Sequence, residues 1–83
     1  MKVRGYVIRK IYPLCKLSCL CLRQGNVISM YSDLSKLKKS DYFESYSSAK
    51  MHIEHLKKYS NCHYVVYAVT DDYRLILGKR VDA

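Results

Sequence analysis

"SYSSAKMHIEHLKKYSNCHYVVYAVT", residues 45–70, decides the fold, because two periodicities meet inside it. Through Tyr59 the positions Ala49, His52, Ile53, Leu56 and Tyr59 recur at the three-and-four spacing of one helix face, with Lys50, Glu54, Lys57 and Lys58 on the other. Glu54 and Lys58 stand in the favourable i,i+4 order. Ser47 is the expected cap at the start. Asn61 is the expected stop, since asparagine tolerates the left-handed backbone that ends helices. From Cys62 the period changes. "CHYVVYAVT" (62–70) is β-branched and aromatic on both faces, which predicts a strand near the centre of a sheet. Asp71–Asp72 turns the chain, and "YRLILGK" (73–79) returns as a partner strand, with Arg74, Lys79 and Arg80 placed on this last strand.

Working upstream, "VRGYVIRKIY" (3–12) alternates, with Val3, Val7 and Ile11 on one side and Tyr6, Ile8 and Tyr12 on the other. Pro13 lacks the N–H a ladder needs and ends that strand. "LSCLCLR" (17–23) and "VISMY" (27–31) flank Gly25–Asn26, a pair for which positive φ is cheap, and read as a hairpin. "SDLSKLKKSDYFES" (32–45) is polar and basic, with Leu34, Leu37 and Phe43 as apolar pegs and one short helical turn capped by Ser32 or Asp33. The order β-β-β-α-β-β predicts an α+β fold: a two-layer, mostly antiparallel sheet with one amphipathic helix packed on one face. Residues 1–83 are read as a single domain.

Of the 83 residues, 49% are hydrophobic and 27% charged, too apolar a balance for intrinsic disorder. No apolar run reaches the roughly 20 residues of a membrane span. The opening "MKVRGYVIRK" has neither the apolar core nor the cleavage site of a signal peptide, so cytoplasmic action is expected and no membrane partner. In that compartment thiols stay reduced. "PLCKLSCLCLRQGN" (13–26) holds Cys15, Cys19 and Cys21, and the remaining cysteine is Cys62. This spacing lacks the paired CxxC of zinc modules. At strand spacing Cys15, Leu17, Cys19 and Cys21 would line one side as small packing residues. A zinc-stabilised domain using these thiols or His52, His55 and His63 stays open as a third reading, and no cofactor is implied.

Catalytic patterns are poorly supported. His52, Glu54 and His55 do not have the His-Glu-x-x-His spacing of metallohydrolases. Cys62 and His63, adjacent in a strand, point to opposite faces and cannot share a proton directly. Gly5, Gly25 and Gly78 fall in no phosphate-binding motif, and the acidic residues are scattered. The reading is therefore not an enzyme. Fifteen Lys and Arg against seven Asp and Glu give a net charge of +8, which favours a polyanionic or acidic partner. Nine tyrosines interleave with those cations, a pattern shared with sequence-tolerant single-strand binders. A small basic nucleic-acid-binding protein is accordingly an alternative, with Lys36, Lys38, Lys39, Lys57, Lys58 and Arg80 on phosphates.

"YVI" (6–8), the Gly-turn hairpin and "DLSKLKKSDYFESYSSAKMHIEHL" (33–56) precede the final strand pair. Asp33–Leu34, Phe43, Ser47, Ala49, Ile53 and Leu56 there supply a polar loop, an aromatic, a Ser/Thr and an Ala-containing helix in turn. The whole resembles small phage-encoded host-takeover and anti-defence proteins, and more distantly single-domain anti-CRISPR proteins. That resemblance implies a non-enzymatic phage accessory protein that binds and occludes a host defence or replication protein, alone or within a nucleoprotein complex. Many anti-CRISPR proteins are acidic nucleic-acid mimics; at +8 this chain would cover a protein surface or bound nucleic acid instead. Tyr and Arg are favoured interface anchors. The partner-binding residues are therefore expected in the loop and on the outer helix face: Tyr31, Lys36, Lys38, Lys39, Tyr42, Tyr46, Lys50, Lys57 and Lys58, together with Arg80.

Overall fold

A computed structural model describes residues 2–15 and 17–82. Five strands, β1 (Val3–Ile11), β2 (Ser18–Cys21), β3 (Val27–Ser29), β4 (His63–Thr70) and β5 (Leu75–Leu77), form one sheet in the order β3-β2-β1-β4-β5. Every neighbouring pair is antiparallel. Helix α1 (Tyr46–Leu56) packs on one face, giving the α+β, two-layer arrangement that the element order predicts. β1 takes the middle of the sheet, which had been expected for β4. Its alternation puts Val7 on one face and Ile8 on the other, and both are wholly buried. Each such side chain stabilises the fold by roughly 1.5–3 kcal/mol.

The two faces are covered differently. On the helix face Ile8, Cys21 and Val66 pack against Phe43, Ala49 and Ile53. On the opposite face Val7, Leu20, Leu22 and Val69 meet Leu34 and Tyr42, with half-buried Leu37 beside them. The polar loop is thus a partial lid whose pegs reach the sheet. Two 3₁₀ turns shape it, Leu34–Lys36 and Lys39–Asp41. Asp33 caps the first by accepting from the Ser35 N–H at 3.0 Å, and Asp41 Oδ2 accepts from the Lys38 N–H at 2.9 Å.

Between loop and helix the chain must pass from one face to the other, and it does so through the sheet. β2 stops pairing with β1 at Cys21, and Phe43 takes up the vacated edge. The Tyr6 N–H donates to the Phe43 carbonyl at 3.0 Å, and the Phe43 N–H to the Tyr6 carbonyl at 2.8 Å. Consecutive residues of an extended chain point oppositely, so Tyr42 enters one core and Phe43 the other. Tyr42 crosses directly over Gly5, where an added Cβ would lie 2.3 Å from the tyrosine Cβ. The expectation that Tyr42 contacts a partner is therefore corrected: it is 5% exposed and part of the core.

The ends of α1 also differ from expectation. Ser45, not Ser47, is the N-cap: its Oγ accepts from the Ser48 N–H at 3.0 Å, and Ser48 Oγ accepts from the Ser45 N–H at 3.2 Å. The helix stops at Leu56, and Asn61 does not adopt the left-handed conformation. Tyr59 accordingly lies beyond the helix and is 78% exposed. Glu54 pairs with Lys57 at 3.6 Å, in place of Lys58. Cys15 sits exposed in the β1–β2 turn and Leu17 is exposed ahead of β2, so of the expected stripe only Cys19 and Cys21 lie in the strand.

β5 is shorter than the sequence predicts. Tyr73, at φ 62°, ends a four-residue turn in which its N–H donates to the Thr70 carbonyl at 3.0 Å. The Arg4 guanidinium lies 4.2 Å over the Tyr73 ring, bracing that left-handed residue. After Leu77 the chain enters a short helix, α2 (Gly78–Asp82). Lys79 and Arg80 are thus on a helix and Arg74 is in the turn; none lies on the last strand. Lysine and arginine favour helix over strand, in keeping with this ending.

Candidate partner-binding surface

The corner where β5 becomes α2 gathers the features a binding surface needs. Its backbone can be read from the ladder. The Thr70 N–H donates to the Arg74 carbonyl at 2.9 Å, and the next hydrogen-bonded pair is Ala68 with Ile76. Ile76 therefore turns its N–H and carbonyl toward β4, while Leu75 and the Leu77 N–H turn theirs outward. β5 is the last strand of the sheet, so those groups face an open edge.

Each face of this edge has its own cavity. On the side away from α1, Tyr67, Leu75, Ile76, Leu77, Arg80 and Val81 line about 630 Å³. Its wall is braced from β1, since Arg9 Nη1 donates to the Tyr67 hydroxyl at 3.1 Å. On the helix side, Tyr46, Lys50 and Ile53 from one face of α1 meet Tyr64, Val66, Leu77 and Lys79 around about 220 Å³. Leu77 belongs to both cavities and is 39% exposed. One side is mainly apolar; the other carries two lysines.

This corner gathers cations, with Lys50, Lys79 and Arg80 around its two cavities. Five of the seven acidic residues are engaged elsewhere: Asp33 and Asp41 in caps, Glu44 with Arg23 at 3.7 Å, Glu54 with Lys57, and Asp72 with Arg74 at 3.2 Å; Asp82 belongs to α2 itself. Hydrogen bonds from Ser35 hold the Asp33 carboxyl below its ordinary pKa, and the Thr70 hydroxyl does the same for Asp72. Lys50 has no ion-pair partner among the described side chains.

The residues expected to bind a partner separate into groups. Tyr46, Lys50 and Arg80 come together at the β5–α2 corner. Lys36, Lys38 and Lys39 are exposed on the loop over the other face, and Tyr31 is 97% exposed near its start. Lys39 shares a cleft of about 250 Å³ with Arg4, Leu37 and Tyr42. Lys57 and Lys58 are exposed at the end of α1, the former engaged by Glu54. The site set drawn from the sequence left out Tyr64, Tyr67, Leu77 and Lys79. Their signal was present in the Gly-Lys-Arg that follows "LIL", where strand-forming residues give way to helix formers.

Thiols and imidazoles lie apart from this corner, Cys21 in the core and His52 and His55 along a cavity of about 430 Å³ with Arg23, Glu44 and Ser48. Burial, reinforced by neighbouring Cys19, pushes the Cys21 thiol up to about 11, which disfavours a nucleophilic thiolate. His52 packs tilted against Phe43 with ring centroids 5.1 Å apart, and His55 meets Tyr59 edge-on at 5.5 Å. Among the described residues no three His, Cys, Asp or Glu side chains are grouped as a metal site requires, and no helix is long and apolar enough to cross a membrane. Comparison with protein-family models, curated proteins and solved structures finds no match for this chain.

Proposed function

We propose that this chain is a non-enzymatic binding protein that holds a partner protein and occludes part of its surface, in the manner of the small phage-encoded host-takeover and anti-defence proteins it resembles. The observation that carries the reading is the β5–α2 corner, where Lys50, Lys79 and Arg80 gather beside an unpaired sheet edge and two cavities. Arginine and tyrosine anchor interfaces well, and clustered cations steer an acidic partner into place. The test is affinity capture from nuclease-treated lysate of the cell in which the protein acts. One protein should be retained stoichiometrically and lost with the Lys79→Glu/Arg80→Glu variant. Recovery of nucleic acid alone, or retention unchanged by the charge reversal, overturns the reading.

A second reading, nucleic-acid binding, is favoured by the Arg4–Lys39 cleft, which sets two cations from distant parts of the chain side by side with Lys36 and Lys38 on the same loop. Two such cations converging are suited to phosphate.

A further inference from the structure

We infer that the outer edge of β5 accepts an extended segment of the partner as a sixth strand, and that the segment alternates apolar with acidic residues. The inference rests on the reading of the β5–α2 corner as a protein-binding surface, and adds the mode of binding and the chemistry of the ligand.

The backbone argument comes first. Leu75 offers an outward N–H and carbonyl, and Leu77 an outward N–H, as the pairing of Ala68 with Ile76 dictates. Strand addition satisfies such groups in register, which is how exposed edges recruit extended peptides. β5 keeps an unbroken register with β4 from Leu75 to Leu77, and the single proline, Pro13, lies in the distant β1–β2 turn.

Side chains then set the sequence preference. Alternate residues of an added strand project to opposite faces. On one face they meet the cavity of Tyr67, Leu75, Leu77 and Val81, which suits an aliphatic or aromatic side chain. On the other they meet the groove bearing Lys50 and Lys79, which suits a carboxylate. Arg80 lines the apolar cavity and offers a further carboxylate contact there. A segment with both faces apolar would leave the lysines unmatched, and one with both faces acidic would leave the cavity unfilled.

The test is titration of isotope-labelled protein with an acetylated octapeptide alternating valine and glutamate, followed by amide chemical shifts and hydrogen exchange. Shifts should centre on Leu75 and Leu77, with their exchange slowed. N-methylation of the peptide amides that face β5 should weaken binding by about tenfold or more, since ladder hydrogen bonds carry the affinity in this mode. Replacing the peptide glutamates by glutamine, or using the Lys50→Glu/Lys79→Glu protein, should weaken it similarly. On the protein side, Leu75→Pro removes the outward N–H at an edge position where proline is tolerated, and Leu75→Ala controls for the lost side chain.

Shifts centred away from β5, no binding at millimolar peptide, or equal affinity of the N-methylated peptide overturn the inference. So do the same shifts produced at lower concentration by an oligothymidylate, or by raising protein concentration alone, which would assign the edge to nucleic acid or to a second copy of the chain. A partner protein still captured from lysate while the peptide results are negative would leave the binding function standing and remove only the strand-addition mode.

Discussion

Replacing Gly5 by alanine tests the crossing on which both cores depend. The new Cβ would stand 2.3 Å from the Tyr42 Cβ and 2.6 Å from its Cγ. Ordinary carbon contacts need about 3.5 Å or more. Rotating Tyr42 moves its ring but not its Cβ, so the clash is between two atoms tied to backbone. Either the Tyr42–Phe43 segment retreats from β1, breaking the 3.0 and 2.8 Å bonds between Tyr6 and Phe43, or Tyr42 leaves the core. Overpacking costs about 1–3 kcal/mol, and each lost hydrogen bond about 1 kcal/mol more. A loss of about 3 kcal/mol is therefore expected, large against the roughly 4–12 kcal/mol total of a chain this size. Gly25→Ala is the comparison: its Cβ meets nothing within 4 Å, and only the φ of +89° opposes it, a cost of about 1 kcal/mol. Urea unfolding should rank wild type, then Gly25→Ala, then Gly5→Ala, and thermal midpoints should fall by about 4–8 °C per kcal/mol. Hydrogen exchange at the Phe43 amide should accelerate in Gly5→Ala alone. A Gly5→Ala protein within about 0.5 kcal/mol of wild type, the range of innocuous surface changes, would refute the crossing.

Other expectations follow from local geometry. Ser45→Ala should lose about 1 kcal/mol in urea unfolding because it removes the Ser45–Ser48 box, whereas Ser47→Ala should fall within about 0.5 kcal/mol of wild type. Cys21 and Tyr42 both have pKa values raised by burial, so the folded state keeps their protons while the unfolded chain releases them. The Cys21 contribution to stability is complete below pH 9.0 and declines as pH rises through about 11; an alkaline decline equally steep in Cys21→Ala would exonerate the thiol. Asp33 and Asp72 act in the opposite sense, stabilising above pH 3.8 and losing that contribution as pH falls below it. Iodoacetamide should modify Cys15 in the native protein and Cys21 only after unfolding. Finally, if the Arg4–Lys39 cleft holds phosphate, oligonucleotide affinity should fall linearly in log salt, with a slope shallower by about 2 in Arg4→Glu/Lys39→Glu; no binding at low salt removes nucleic acid as a ligand.

The parts of the fold that were legible in the sequence are those encoded by local period. Residues 45–70 showed a helix and then a strand because three-and-four spacing and β-branched runs are properties of neighbours. The errors at the helix ends have the same origin in reverse. Three of the four residues from Ser45 to Ser48 are serine, so composition alone cannot say which hydroxyl caps; only the reciprocal bonds between Ser45 and Ser48 choose. At the candidate surface, charge pointed to Lys50 and Arg80, and the outer helix face to Tyr46. Tyr42 was misplaced because a tyrosine in a polar loop carries no local mark of burial.

By itself, the sequence determined the order of the five strands and α1, the amphipathic face of that helix, a β2–β3 hairpin with Gly25 at positive φ and an excess of cations, since each depends on residues a few positions apart. The tertiary structure alone decided that Tyr42 belongs to the core, that β1 lies at the centre, and that the outward groups of Leu75 meet an open edge between an apolar cavity and a pair of lysines. Those outcomes follow from the meeting of residues far apart in the chain: Gly5 lies under Tyr42, Arg9 bonds Tyr67, and Lys50 and Lys79 line one cavity. No local pattern encodes such pairs, because what brings them together is the packing of the whole chain around β1.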